Sequence, residues 1–263
     1  MGWLSHFGAA PRAARLAPGK RVYAIGDIHG RNDLLCALLG QIRRHAMHEP
    51  RAQNILVLLG DYVDRGPQSR SVIETLLGLN WPRWKFIFLR GNHDQAVLDF
   101  LAEPDFYRSW GPYGASKTLL SYGVMPPASD WDSEIIGARD ALAASMPQAH
   151  MDFLETLRLL HVEDDYLFVH AGIRPGIPVE KQAAEDLLWI RDEFLNYPHH
   201  LPKKVVHGHT STSHPINARH HISVDTGAHA TDCLTAAVLE DESCIFLQTG
   251  AKARKEFELT RAG

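Results

Sequence analysis

Ile55-Leu56-Val57-Leu58-Leu59 runs without interruption into Gly60-Asp61-Tyr62-Val63-Asp64-Arg65-Gly66. Five apolar residues with no polar alternation read as a strand buried on both faces, and the abrupt change to Gly, Asp and Arg reads as the loop at its carboxyl end. The same change occurs four more times. Val22-Tyr23-Ala24-Ile25 leads into Gly26-Asp27-Ile28-His29-Gly30, and residues 86–89 lead into Arg90-Gly91-Asn92-His93-Asp94. Residues 166–169 lead into His170-Ala171-Gly172, and Val205-Val206 into His207-Gly208-His209-Thr210. Ligands of open α/β sheets bind just beyond the carboxyl ends of the strands. Five loops of this kind, each carrying side chains able to bind metal, point to one site assembled from five strand ends.

Between these loops the spacing changes to that of helices. Leu34, Leu35, Leu38, Leu39 and Ile42 predict a helix over 32–45, Val72, Ile73, Leu76 and Leu77 another that closes at Gly78, and residues 95–101 a short third. Strand, polar loop, helix, strand is the grammar of parallel βαβ units, so the class is α/β. Residues 103–161 interrupt the series with Trp110, Tyr113, Tyr122, Trp131 and two helix candidates near 138–145 and 148–160. They read as an insertion that shapes substrate access, or as a wing that only buttresses the sheet. A helix is expected over 180–189, ahead of Arg191. Short strands follow at 222–224, 234–239 and 245–247, the last two joined through Glu240-Asp241-Glu242-Ser243. The expected organisation is a tail over 1–20, one domain over 21–250, and a tail over 251–263.

A chain of 263 residues suffices for one large domain with a substantial core. The net charge of −4 argues against a general nucleic-acid binder, whose footprint is basic. Cys36, Cys233 and Cys244 form no Cys-x-x-Cys pair, which argues against a disulfide framework or zinc knuckle and for a reducing compartment. No run approaches the ~20 apolar residues of a membrane span. Arg12 and Arg15 interrupt any signal-peptide core, and His6 stands where a myristoylation signal after Met1-Gly2 needs Ser or Thr. Trp3, Leu4 and Phe7 belong to a loosely docked tail in this reading, and a cytoplasmic location is expected. Nothing in the sequence fixes the oligomeric state. Sixteen histidines are many, seven of them between His199 and His221, and position at a strand end rather than number singles out those that matter.

Asp27 and His29, two residues apart, would point to the same side of an extended segment and grip one ion. Asp61 has two oxygens and can bridge two cations, whereas Asn92, His170 and His209 supply an oxygen and two imidazole nitrogens for a second. Mixed O/N ligation without thiolate suits manganese, iron, cobalt or zinc. Two such ions ~3.5–4 Å apart lower the pKa of a shared water and clamp phosphoryl oxygens during in-line displacement. Arg65 and Arg191 are candidates for bidentate contact with non-bridging phosphate oxygens. His93 would point to the other side of its loop from Asn92 and protonate the leaving oxygen, with Asp64 orienting the imidazole. Taken singly, each residue has a plainer explanation: a helix cap, a surface ion pair for Asp64 and Arg65, a core histidine for His170, a solvated helix end for Arg191. Their coincidence at successive strand ends outweighs these.

Gly-Asp-x-His-Gly at 26–30, Gly-Asp-x-Val-Asp-Arg-Gly at 60–66 and Gly-Asn-His-Asp at 91–94, followed by isolated histidines, resemble the signature of the calcineurin-like metallophosphoesterases. The Val-Asp-Arg-Gly element is similar to the phosphoprotein phosphatase branch, especially its compact bacterial and bacteriophage serine/threonine protein phosphatases, and Leu188-Trp189-Ile190-Arg191 resembles the bacteriophage enzymes. The resemblance covers about residues 21–247 in motif order. It implies two mixed β-sheets packed as a sandwich with flanking helices, and a dinuclear metal site at the strand ends. It further implies Asp27, His29 and bridging Asp61 on one ion, and Asp61, Asn92, His170 and His209 on the other. Arg65 and Arg191 would hold phosphate, and His93 with Asp64 would form the acid pair. Two divalent ions are expected, manganese foremost, with iron, zinc or cobalt as alternatives.

Two departures bear on activity. Related nucleases and cyclic-nucleotide phosphodiesterases carry Gly-His-x-His, whereas Gly208-His209-Thr210-Ser211 lacks the second histidine, so those activities lose weight. His207, before the glycine, is expected to support the ligands rather than to touch metal. Asp94 in place of Glu, and His170-Ala171-Gly172-Ile173, also resemble diadenosine tetraphosphate hydrolases. The leading expectation is a phosphatase acting on phosphoserine and phosphothreonine in proteins, with phosphotyrosine or small phosphate esters as extensions, by attack of a metal-bridging hydroxide. Hydrolysis of dinucleoside polyphosphates is the alternative, and a non-catalytic metal-binding scaffold a third reading that the complete ligand and acid set disfavours. Asp64 favours the first, because an alkoxide leaving group needs a proton far more than a nucleotide phosphate does.

Overall fold

The computed structural model describes residues 13–48 and 53–250. Within them each apolar run alternates its side chains between two hydrophobic layers. In β1 (Lys20–Ile25) and β2 (Gln53–Leu58), Val22, Ala24, Ile55 and Val57 pack with Phe168, Val206, Ile222 and Val224 of the facing sheet, whereas Tyr23, Ile25, Leu56 and Leu58 pack under helices. A strand with apolar partners on both faces shows no polar alternation, which is why these segments read as continuous runs.

The first sheet has the order β10-β9-β1-β2-β3, with β3 at Trp84–Phe88, β9 at Thr235–Glu240 and β10 at Ser243–Gln248. β1, β2 and β3 are parallel, and the β9–β10 hairpin adds on antiparallel to β1. The second sheet has the order β4-β5-β6-β8-β7: β4 Leu160–Glu163, β5 Tyr166–Val169, β6 Lys204–His207, β7 Ile216–Asn217 and β8 His221–Ser223. Here β5, β6 and β8 are parallel and the outer two strands antiparallel. The expected sandwich of two mixed sheets with flanking helices is therefore present.

Helices α1 (Asn32–His48), α2 (Ser69–Leu77) and α3 (Asn92–Ala102) follow the first three site loops, each a little longer than its periodicity predicts. The 103–161 region holds α4 (Tyr107–Trp110), α5 (Ala115–Ser121), α6 (Asp132–Ser145) and α7 (Gln148–Thr156), all contributing to the core outside the first sheet. The predicted helix to residue 160 stops at Thr156, because Leu160 already pairs with Val169 as part of β4. The helix expected over 180–189 is shorter: a 3-10 turn, Val179–Lys181, is followed by extended Gln182 and Ala183 before α8 (Ala184–Trp189). α9 (Asp192–Leu195) comes next, and α10 (Ala228–Thr231) lies after β8. The chain docks ahead of β1: Leu16 is buried and its N–H bonds to Asp241 O (2.9 Å). Trp3, Leu4, Phe7 and the expected tail at 251–263 lie outside the described residues. No helix among the described residues is long and apolar enough to cross a membrane.

At the end of β1 away from the site loops, Glu163 ties the sheets together. It bonds Lys20 of β1, Lys85 of β3 (3.1 Å) and His161 of its own strand (3.2 Å). Burial opposes its ionisation, but these donors outweigh burial and hold the carboxyl down at about 2. A carboxyl depressed below its unfolded value of 4.5 contributes stability that is full above that pH and lost as pH falls toward 2. Glu163→Gln should therefore cost about 1–2 kcal/mol in urea unfolding at pH 7, with the difference from the parent shrinking at pH 3. An equal difference at both pH values would contradict this account.

Candidate metal centre

Six strand ends converge, one more than the sequence motifs suggest. Asp27 follows β1, Asp61 follows β2, Asn92 opens α3 after β3, His170 follows β5, His209 follows β6 and Asp225 follows β8; all six are buried. Asp225 was legible in principle, since Ile222-Ser223-Val224 breaks into Asp225-Thr226-Gly227 like the other runs. It accepts Ser211 Oγ–H (2.5 Å) and Gly227 N–H (2.8 Å), so the serine in the place of a second histidine serves a carboxylate.

The loops pack so closely that several of their glycines, Gly91 and Gly208 among them, have no room for a side chain. A Cβ on Gly91 would lie 2.0 Å from Asp61 Oδ1, and one on Gly208 2.1 Å from Asp27 Oδ1. Asp94 pins the second loop to the third. Its carboxylate accepts the N–H groups of Asp61 (2.8 Å), Tyr62 (3.0 Å) and Gly91 (2.9 Å), and burial, then the charge of Asp61, push it up to about 8. Five of the predicted site residues occupy left-handed backbone: His29 (φ 45°), Asp61 (53°), Asp64 (69°), Arg65 (62°) and His209 (60°). Such conformations cost roughly 1–3 kcal/mol each and persist where surrounding contacts over-determine them. His29 in this conformation also corrects the expectation of an extended Asp27-x-His29 segment; the chain turns at His29 and Gly30.

Backbone carbonyls set the histidine tautomers. His29 Nδ1–H donates to Val63 O (2.9 Å) and His170 Nδ1–H to Leu59 O (3.0 Å), which leaves each Nε2 as a lone pair. Both lone pairs stand 3.5 Å from Asp61 Oδ2. Burial lowers the pKa of His29, His170 and His209, the last to about 2, so these rings are neutral near pH 7. Asp61 is ionised: burial would raise its pKa, but the pull of the surrounding imidazoles when they carry protons in acid, His170 foremost, outweighs burial and holds it well below the carboxylate range. Acceptors thus face acceptors in a buried space. His29 Nε2 and His209 Nε2 are buried with no hydrogen-bond partner among the described residues. A cation is the partner this donor-poor arrangement fits, and imidazole plus carboxylate suits a divalent transition metal.

Two groups of ligand atoms lie within 4.8 Å of one another: His29, Asp61 and His93, and Asp61, His170 and His209. Asn92 Oδ1 adds to the second, 2.9 Å from His170 Nε2. Asp27 is turned toward His209, whose N–H it accepts at 3.1 Å, and burial and the neighbouring charges of Asp225 and Asp61 raise its pKa well above the usual range. His207 joins neither group. Its Nδ1–H donates to Gly208 O (3.0 Å) and its Nε2 accepts from His221 (2.8 Å), and burial pushes it down to about 3.

His93 Nδ1–H donates to Asp64 Oδ2 (2.7 Å), and its Nε2 lies 4.0 Å from Asp61 Oδ2 and 3.1 Å from Arg65 Nη2. Burial works against its charge, but Asp61 and Asp64 outweigh burial and raise its pKa. Asp64 also accepts Trp110 Nε1–H (2.6 Å) and Thr118 Oγ1–H (2.5 Å), two residues of the 103–161 region that no motif singles out. Arg191 reaches the loop after β6, donating to His209 O (3.3 Å) and Thr210 Oγ1 (3.2 Å).

Ion binding is testable without catalysis. Mn2+ added to metal-free protein should raise Tm, by the equivalent of about 2.7 kcal/mol at a hundredfold excess over Kd. Asp61→Asn should remove most of that rise, and a Tm indifferent to divalent ions would exclude the centre.

A symmetrical bis(5'-nucleosyl)-tetraphosphatase of Nitrosomonas europaea is 30% identical over 60% of this chain and 47% of its own, so the chain spans about half that relative's length. Serine/threonine-protein phosphatase 1 of Salmonella typhimurium is 28% identical over 67% of this chain and 71% of its own. The solved structure of a candidate diadenosine tetraphosphatase shares the fold, with a TM-score of 0.59 at 22% identity over 90% of this chain and 98% of that one. Residues 20–242 match the model of the calcineurin-like phosphoesterases, and the chain belongs to that family.

Proposed function

We propose that the protein is a metal-dependent phosphomonoesterase acting on phosphoserine and phosphothreonine in proteins, with phosphotyrosine accepted. In this reading Asp27, His29 and Asp61 hold one divalent cation and Asp61, Asn92, His170 and His209 a second, with manganese the expected ion and the cytoplasm the expected location. When bound, such ions supply Lewis acidity toward phosphoryl oxygens and an activated water. Arg65, beside His93, and Arg191, beside His209, orient the phosphoryl group through its non-bridging oxygens. As the imidazolium, His93 gives its Nε2 proton to the leaving oxygen, and Asp64, accepting the Nδ1–H, stabilises the charged ring and fixes its orientation.

The observation that carries this reading is the 2.7 Å bond between His93 and a fully buried Asp64. An alkoxide departs poorly without a proton, so an acid pair built this firmly suits a phosphomonoester. The relatives named as tetraphosphatases support a second reading, hydrolysis of dinucleoside polyphosphates. Trp189 adds to it: 47% exposed and edge-on to His209 (5.9 Å), it offers a face on which a nucleobase could stack.

Turnover of a phosphoserine peptide against diadenosine tetraphosphate, with Mn2+ present, separates the two. A strong preference for the dinucleotide would overturn the first reading. His93→Asn should slow the phosphoserine peptide by roughly 10²–10⁴-fold and p-nitrophenyl phosphate far less, since the phenolate leaves without help. Equal losses on both substrates would remove His93 from the acid role.

A further inference from the structure

The segment Asp64–Arg65 is clasped by residues 110–118. Both residues have left-handed backbone, and Arg65 is a side chain that rarely adopts it. Three residues of the clasp bear on them. Trp110 Nε1–H and Thr118 Oγ1–H donate to opposite oxygens of the Asp64 carboxylate, at 2.6 and 2.5 Å. The Thr118 hydroxyl also accepts the Asp64 N–H (2.9 Å) and bonds Ser69 Oγ (3.0 Å), closing a ring around the residue. Gly114 lies against the Arg65 backbone, where an added Cβ would stand 2.7 Å from Arg65 N.

The clasp is anchored in the core. Trp110, Ala115, Thr118 and Leu119 are buried, and the Trp110 ring packs on Phe100 with centroids 5.2 Å apart. Phe100 belongs to α3, the helix whose first turn carries His93. One helix therefore fixes both the imidazole and the indole that share Asp64 Oδ2. A carboxylate held by a single histidine can rotate and let the ring swing toward Arg65 or Asp61; one held at both oxygens cannot.

We propose that Trp110 and Thr118 are positioning residues of the His93–Asp64 pair, so that the 103–161 region takes part in proton delivery to the leaving group. The proposal rests on the reading of His93 as the acid. Hydrogen bonds to a charged carboxylate restrict its orientation, and losing one costs the protonated transition state while leaving phosphate binding intact. A packing role for Trp110 and Thr118 would instead depress all substrates alike.

The experiment uses the full chain reconstituted with Mn2+ and compares kcat on a phosphoserine peptide and on p-nitrophenyl phosphate for Trp110→Phe, Thr118→Val, Thr118→Ser and His93→Asn. Trp110→Phe and Thr118→Val should each slow the peptide about tenfold or more and the aryl ester about threefold or less. Thr118→Ser, which keeps the hydroxyl, should restore the peptide rate to within roughly threefold of the parent. Equal losses on both substrates in Trp110→Phe and Thr118→Val, or none, beside a selective loss in His93→Asn, would overturn the positioning role alone. Equal losses in His93→Asn would overturn the acid reading and this proposal with it.

Discussion

Five carboxylates, Asp27, Asp61, Asp64, Asp94 and Asp225, are buried at one end of the molecule, and the architecture of that end follows from the need to compensate them. A buried carboxyl without partners, ionised or not, is costly for a fold to carry. Asp94 meets the requirement with three backbone N–H groups, Asp225 with Ser211 and Gly227, and Asp64 with Trp110, Thr118 and His93. Asp27 accepts the His209 N–H. Asp61 differs: its Oδ1 accepts the His93 N–H, but its Oδ2 faces two imidazole lone pairs. Its compensation has to come from positive charge brought in, which is the physical case for metal at this place.

The fold delivers these groups by repetition of a simple device. A strand with two apolar faces stays in the core until its carboxyl end, where the chain can turn outward and expose polar side chains. Parallel strands in both sheets place all such ends on one side, so six loops meet. Their close approach requires Gly91 and Gly208, and their unusual backbone is fixed by Asp94 and by the residues around Asp64. Strand-end carbonyls do chemical as well as structural duty: Leu59 O, one residue beyond β2, selects the tautomer of His170 from the opposite sheet. At the other end of the sandwich, the Glu163 cluster joins β1, β3 and β4 far from the loops.

The 103–161 region stands apart from this scheme because it adds no strand to the parallel series, yet it reaches the centre. Helices α4 and α5 supply the indole and hydroxyl that hold Asp64, and α6 and α7 complete the core over the first sheet. Its sequence carries aromatic residues that read equally well as core or as rim. Trp110 is core by burial and a donor to a site residue by its indole N–H, a combination that spacing alone does not distinguish from packing.

By itself, the sequence determined the parallel strand grammar, the helices after the first three loops, and the identity of the loop residues, because apolar period and residue chemistry are local properties. It also carried, unread, the sign of Asp225 in one more strand ending on a carboxylate. Only the tertiary structure decided what is set by distance between remote segments. Asp27 accepts the backbone N–H of His209; His207 spends its nitrogens on Gly208 and His221; the helix expected over 180–189 is divided by extended Gln182 and Ala183. The partners of Asp64 arrive from 46 and 54 residues away. A hydrogen bond is made in space, and no periodicity along the chain records which distant donor will be there.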